Sequence, residues 1–254
     1  MAHVIDKKRV RTLTELLLAA HFENLAVTVD PDLFLGSVDE AYWVQESVLR
    51  ALDSRRPTAW KISPPREGTP SMSSPTPVRG VKPSPAHFEG ANRLLGVEAE
   101  VAFRFSKTPK TRGKGGGVKD AVEEALVLIE LCESRYFNLG DAPPLCRIAD
   151  FQSHGGFSLG TGTRDWRAID FSAQRVELLV NGQQIASRVG SHPSGDPYAL
   201  VEWAAAHCAE RGMPLAAGDV VTTGTWTGMT PIAFGDEVVA RFPGIGEAVL
   251  RMSA

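Results

Sequence analysis

The sequence predicts an α+β fold, with a helical N-terminal segment over residues 1–56 and a β-rich body over residues 57–254. Two observations predict it. Apolar residues recur at helical spacing through the first 55 residues, and beyond residue 145 short β-branched runs alternate with Gly-Asp and Asn-Gly turns.

The elements follow in order. Val10, Leu13, Leu16, Leu17 and Ala20 form one helix face behind a basic start, Lys7-Lys8-Arg9. Asp30-Pro31-Asp32 reads as a turn or cap. A second helix opens with Ser37 as N-cap and Glu40 three residues on, ahead of the stripe Ala41, Val44, Val48, Leu49 and Leu52. A short strand over 58–63 carries Lys61. From 64 to 85, seven of 22 residues are proline, which excludes regular helix or central strand and suggests a rim or lid over a site. Residues 94–103 read as a strand. Residues 110–117 are basic and glycine-rich but lack the GxxxxGK[ST] order of a phosphate loop, so a flexible loop or hairpin is expected. A helix is predicted from 118 to 129, with Ala121, Val122, Ala125, Leu126 and Ile129 inward and Glu130 at its end. Residues 176–189 make a hairpin about Asn181-Gly182. Asp196-Pro197 starts a last helix, with Val201, Ala204, Ala205 and Cys208 inward, and Gly212 stops it. Two similar phrases, at 217–221 and 234–239, each run from a Gly-Asp turn into a β-branched strand.

Composition narrows the function classes. With 27 basic and 30 acidic residues the net charge is −3, which leaves no electrostatic footprint for nucleic acid or an anionic membrane. No apolar run approaches the roughly 20 residues needed to span a bilayer. The run Leu16-Leu17-Leu18-Ala19-Ala20 is too short for the core of a signal peptide. Cys132, Cys146 and Cys208 lack metal-type spacing and read as buried thiols. A soluble, cytoplasmic, disulfide-free protein is expected.

The chemistry is concentrated in acids within apolar runs. Glu98 and Glu100 alternate on one strand, so both carboxylates share a face. Two such anions repel unless a divalent cation joins them, and Mg²⁺ and Mn²⁺ prefer hard oxygen ligands; the alternative is an amphipathic strand with both acids in water. Glu130, between Ile129 and Leu131, is the third acid for such a site, or else a solvated position. Lys61 would pair with an anionic substrate or exchange protons, or else snorkel at an edge. The phrase from Asp150 to Phe157 could aim Gln152 and Ser153 at a ligand. Residues 222–228 place hydroxyls, including Thr225, at a strand end with Trp226 able to wall a pocket. No G-x-S-x-G elbow, GxGxxG fingerprint, HExxH or Cys/His zinc spacing is present.

Together the phrases at 38–45, the strand carrying Lys61, 96–103, 129–135, 150–160, Gly195-Asp196-Pro197 with Trp203, and 215–224 resemble the fumarylacetoacetate hydrolase superfamily. The 2-oxo-4-pentenoate hydratase and 4-oxalocrotonate decarboxylase branch is the most similar. The resemblance implies a mixed β-roll or barrel-like catalytic domain behind the helical segment, usually in a homo-oligomer. It implies Mg²⁺ or Mn²⁺ held by Glu98, Glu100 and Glu130, with Lys61 as the catalytic side chain. Ser153, Gln152 and Thr225 would line the substrate. The expected activity is that of a lyase hydrating or decarboxylating an unsaturated 2-oxo acid from aromatic-compound breakdown. Alternatives are an acylpyruvate or fumarylacetoacetate-type C–C hydrolase, or a catalytically weak subunit stabilising a partner enzyme of the same pathway. One departure stands out. Family hydratases place an acid–base Asp between the lysine and the carboxylate strand, yet residues 62–97 contain no Asp, only Glu67 and Glu89. Glu67, Glu89 or His87 would have to substitute. For a hydrolase lid, His87-Phe88-Glu89 or His21-Phe22-Glu23 would be the stand-in pair.

Overall fold

The computed structural model describes residues 5–53, 55–65, 70–89, 94–110 and 117–253. Two helices come first, α1 (Lys7–Phe22) and α2 (Val38–Leu52). They are followed by β1 (Ala59–Ser63), β2 (Met72–Pro75), β3 (Val81–Pro83), β4 (Ala86–Phe88), β5 (Leu94–Phe105) and β6 (Val122–Glu133). The chain continues through α3 (Pro144–Ala149), β7 (His154–Thr163), the hairpin β8 (Arg175–Val180) and β9 (Gln183–Val189), and α4 (Tyr198–Glu210). It closes with β10 (Val220–Thr225), β11 (Glu237–Phe242) and β12 (Gly246–Met252).

The α+β class and the helical start agree with the sequence. Among the described residues the strands form a mixed seven-stranded sheet, β2-β1-β10-β5-β6-β7-β3, and a five-stranded sheet, β4-β12-β11-β8-β9. The two curl against each other. At Gly160 of β7 an added Cβ would lie 2.2 Å from the carbonyl of Glu247, so only a glycine lets β12 approach this closely. No described helix is long and apolar enough to cross a membrane.

The large sheet is buried on both faces, and this positions the site. On β5, Val97, Ala99, Val101 and Phe103 enter the core shared with Val238, Ala240, Ala248 and Leu250 of the small sheet. The alternate residues, Glu98, Glu100 and Ala102, point to the other face, where Ala102 packs with Ala59, Leu126, Leu128 and Val220. That second face is covered in part by a further cluster in which Val10, Leu13, Val44 and Val48 of α1 and α2 meet Met72, Tyr136 and Ile148.

Two expectations need correcting. The helix predicted over 118–129 is instead a short 3₁₀ turn (Val118–Ala121) leading into strand β6. Ala121, Val122, Ala125, Leu126 and Ile129 fit a helical stripe only because β6 is buried on both sides, which makes its apolar run continuous and erases the two-residue period. The proline-rich stretch is also not a single loop. It contributes β2 and β3 at the two edges of the large sheet, where a missing N–H is tolerated. The basic glycine-rich phrase at 110–117 falls largely outside the described residues.

Local signals hold elsewhere. Ser37 Oγ accepts from the Glu40 amide at 3.3 Å, as an N-cap should. Glu40 does not close the box on Ser37 but accepts from Gly36 N, Asp6 N and Arg9 Nη2 at 2.7, 2.9 and 2.8 Å. Its carboxylate therefore ties the start of α1 to the start of α2. The helix expected at Asp196-Pro197 begins one residue later than a cap at Asp196 would place it, with Asp196 Oδ1 accepting from Tyr198 N at 2.8 Å. The two Gly-Asp phrases are the same turn twice. Gly218 and Gly235 both have φ of 88°, and Asp219 and Asp236 each accept from the amide three residues back, at 2.6 and 2.8 Å.

Candidate active site

Two adjacent strands bring the acids together, and a third contacts Glu100. β5 and β6 run antiparallel with Glu98 opposite Glu130, so on the shared face Glu98, Glu100, Glu130 and Cys132 cluster. Ligand atoms of Glu98, Glu130 and Cys132 lie within 4.8 Å of one another. Glu100 and Glu130 are completely buried. β10, on the other side of β5, carries an irregularity between Thr222 and Thr225. There Gly224, at φ of 92°, turns its amide toward Glu100 Oε2 at 3.2 Å. A Cβ on Gly224 would also sit 3.1 Å from Pro64 Cδ. Glu100 Oε1 is buried with no hydrogen-bond partner.

Lys61 crosses to this face from β1 and is 7% exposed. Its ammonium lies 3.0 Å from Glu130 Oε2 and donates to the carbonyl of Gln152 at 3.0 Å. Burial opposes its charge, but Glu130, Cys132 and the other two glutamates outweigh burial and raise its pKa above the ordinary lysine range. Glu130 is the mirror case. Burial pushes it up, but Lys61 and the His154 ring, whose Nδ1 is 3.0 Å from Oε1, bring it below the usual carboxylate range. At Glu100 the balance is reversed: burial and then the charges of Glu130 and Glu98 outweigh Lys61 and a hydrogen bond with Thr222, and raise its pKa well above normal. Burial lowers the His154 imidazole and raises the Cys132 thiol.

A turn built against its backbone preference completes the site. Phe151, Gln152 and Ser153 have φ of 50°, 55° and 61°, a region that disfavours L residues by roughly 1–2 kcal/mol each. Arg135, just past β6 and 1% exposed, holds the turn from beneath. It pairs with the Asp150 carboxylate and donates to the carbonyls of His154 and Asp150 at 2.7 and 2.8 Å. The Gln152 side chain is engaged by Ser63 and by Ser74, the latter at 2.9 Å, and Ser74 is shared with Gln45.

Lys61, Glu98, Glu100, Gln152, Ser153 and Thr225 all line one cavity of about 440 Å³, a size suited to a small molecule. Glu130 lies under its floor, reached through Lys61 and Glu98. Trp226 does not wall the cavity; it is buried in the main core beside Phe171 and Phe242. Cys132, Arg147 and the His154–Glu130 contact were not assigned to the site from sequence. For Cys132 the signal was present, since it shares strand parity with Glu130. His87 and Glu89 are exposed and do not line the cavity, and Glu67 lies outside the described residues. His21 packs edge-on against Phe151, also away from the cavity.

Two buried carboxylates, Glu100 and Glu130, beside the half-buried Glu98, with Glu100 Oε1 lacking a hydrogen-bond partner, are a donor set for a hard divalent cation, so the residues fit such an ion. Fold and site together define a curled mixed sheet carrying an acidic centre beneath a small-molecule cavity. The chain belongs to the fumarylacetoacetate hydrolase family: residues 64–252 match the family model described as fumarylacetoacetate (FAA) hydrolase C-terminal. It is similar to the TodF product hydratase of Pseudomonas putida (strain F1), 35% identical over 155 residues, covering 59% of this chain and 56% of that one. The match thus spans little more than half of that relative. Over 263 residues it is 27% identical to the 4-oxalocrotonate decarboxylase of Pseudomonas sp. (strain CF600), covering 92% and 96%. The solved 4-oxalocrotonate decarboxylase from Pseudomonas putida G7, complexed with magnesium and adipate, has the same fold. Its TM-score is 0.84 at 22% identity, over 98% of this chain and 99% of that chain.

Proposed function

We propose that this protein is a divalent-metal-dependent lyase acting on an unsaturated 2-oxo acid in the breakdown of aromatic compounds. The observation that supports it most is the clustering of Glu98 and Glu100, which line the cavity, with Glu130 beneath its floor, Glu100 Oε1 having no hydrogen-bond partner. These three would hold Mg²⁺ or Mn²⁺, which supplies Lewis acidity to a bound 2-oxo carboxylate. Relatives named as hydratases and decarboxylases, and the magnesium in the solved decarboxylase, support the same reading.

The side chains divide the work. Lys61 keeps its proton between Glu130 and the Gln152 carbonyl, so it acts as a fixed positive charge beside the substrate carboxylate. Gln152 is a positioning residue, because its carbonyl holds Lys61 while its amide is tied to Ser63 and Ser74. Ser153 and Thr225 line the cavity and orient the substrate. Among the described residues that line the cavity there is no Asp or His to activate water at the far carbon. That observation favours decarboxylation over hydration as the second reading, since loss of CO₂ needs no positioned water. The chain would act as a homo-oligomer in the cytoplasm, with association with a partner enzyme of the same pathway as a further expectation.

The test is turnover by metal-stripped protein with and without Mg²⁺ or Mn²⁺, on 2-hydroxypenta-2,4-dienoate, 2-oxohex-3-enedioate and an acylpyruvate. Metal-dependent turnover of either of the first two is expected. Glu98→Ala and Glu130→Ala should each lose roughly 10²-fold or more in kcat/KM with the fold retained. Cleavage of the acylpyruvate alone would make the protein a C–C hydrolase. Full activity in either variant would refute the metal site.

A further inference from the structure

The cavity has a second locus of charge, set apart from the carboxylates. Arg147, on α3, lines the same cavity as Lys61 and Glu98 and is half-buried. Its Nε donates to the carbonyl of Ala142 at 2.7 Å, which fixes the guanidinium plane. Its two Nη groups have no hydrogen bond or ion pair among the described residues, and no described carboxylate lies within 4.0 Å of it. The other cation lining the cavity among these residues differs, since the Lys61 ammonium already has a carboxylate, Glu130, as its partner. The rest of the lining near α3 is apolar, with Leu139, Pro144 and Ile148 contributing. A planar fork of donors that reaches the cavity with no partner from the protein is placed to meet an anion, and a carboxylate matches it bidentately.

We propose that Arg147 reads the far end of the substrate. It binds a second negatively charged group, so the site prefers a 2-oxo dicarboxylate to a 2-oxo monocarboxylate of equal length. The proposal rests on the reading above, in which the 2-oxo carboxylate head is held at the glutamates. The head then occupies the acidic centre, the carbon chain lies along the apolar lining, and the tail carboxylate docks on Arg147.

Calorimetric binding of 2-oxoadipate and 2-oxohexanoate to the Mg²⁺-loaded protein tests this without turnover. Wild type should bind 2-oxoadipate about tenfold or more tighter, in line with one charge-assisted hydrogen-bond pair. Arg147→Met should abolish the preference while leaving 2-oxohexanoate within about twofold of wild type, and Arg147→Lys should keep part of it. Equal affinities in wild type, or a preference that survives in Arg147→Met, would overturn the role of Arg147 and leave the 2-oxo acid reading intact. Equal loss of both ligands in Arg147→Met would make the residue structural and overturn the proposal as well. If wild type binds neither acid, the head-group reading itself fails and this inference falls with it.

Discussion

Two clusters of buried charge lie a few residues apart, where β6 ends and the turn after α3 begins, and they follow opposite rules. Around Arg135 every donor is matched: Asp150 accepts from its Nε and its backbone amide, and two carbonyls take the remaining guanidinium groups. Around Glu100 three carboxylates crowd one face, Lys61 pairs with Glu130, one acid has its pKa pushed far up, and Glu100 Oε1 has no hydrogen-bond partner. Glu100 and Glu130 are as shielded from water as Arg135 and Asp150, so burial alone does not separate scaffold from site. Satisfaction does. A buried charge with its valences filled serves the fold, and a crowd of like charges left short of partners is kept for something that arrives later.

The comparison breaks most visibly at Arg135. Replacing it with Met leaves Asp150 buried without its cation and frees a turn whose three residues resist their own φ angles. A loss of about 3–5 kcal/mol is expected, read by urea unfolding. Turnover should fall with it, because the same turn supplies the carbonyl that holds Lys61. A neutral Arg135→Met would mean that the cluster does not support the fold.

A second satisfied carboxylate, remote from the site, should behave in the same way on a smaller scale. Glu40 is 2% exposed and joins α1 to α2 through Arg9 and the amides of Asp6 and Gly36. Burial raises its pKa, but these hydrogen bonds outweigh burial and leave it below the usual range. A depressed folded pKa means stability that is present above the unfolded value, near 4.3, and is lost as pH falls through the folded one. Glu40→Gln should therefore cost about 1.5–3 kcal/mol at pH 7, with the gap to wild type narrowing below about pH 4. Unfolding curves at pH 7 and pH 3 measure both, and a gap that widens in acid would contradict the assignment.

The same distinction explains how much could be read from the sequence. Glu98 and Glu100 were legible because alternate residues of a strand must share a face. Glu130 was expected beside them but was placed on a helix end, whereas it sits on strand β6 opposite Glu98. A helix end and a strand position both set an acid among apolar neighbours, and two-sided burial hid the strand period of β6. The Asn181-Gly182 hairpin and the repeated Gly-Asp turns were legible because a positive φ leaves a residue-type signature. Arg135 was legible only as a local ion-pair partner of Glu133, a contact present at 4.0 Å, and Arg147 was not legible. Their fuller meaning lies in contacts across the fold, one filled and one open, and no local pattern distinguishes a satisfied arginine from a waiting one. The acid–base residue missing from 62–97 has no replacement among the cavity-lining residues described, so that gap in the sequence persists in the structure.

The smallest effect is the most telling, because its sign is reversed. Glu100→Gln removes one negative charge from a crowded, buried set while keeping an oxygen to accept from Gly224 N. In metal-free protein this should relieve like-charge repulsion and raise stability by about 1 kcal/mol, the opposite of what either satisfied cluster would do. Mg²⁺ should raise the melting temperature of wild type by mass action and leave that of Glu100→Gln nearly unchanged, since the variant has lost a ligand. Melting curves with chelator and with Mg²⁺ give both numbers. A destabilised, metal-insensitive Glu100→Gln would place Glu100 with Glu40 and Asp150 among the structural acids, whereas a stabilised variant that no longer responds to metal would show that the strain in this cluster is what the cation relieves.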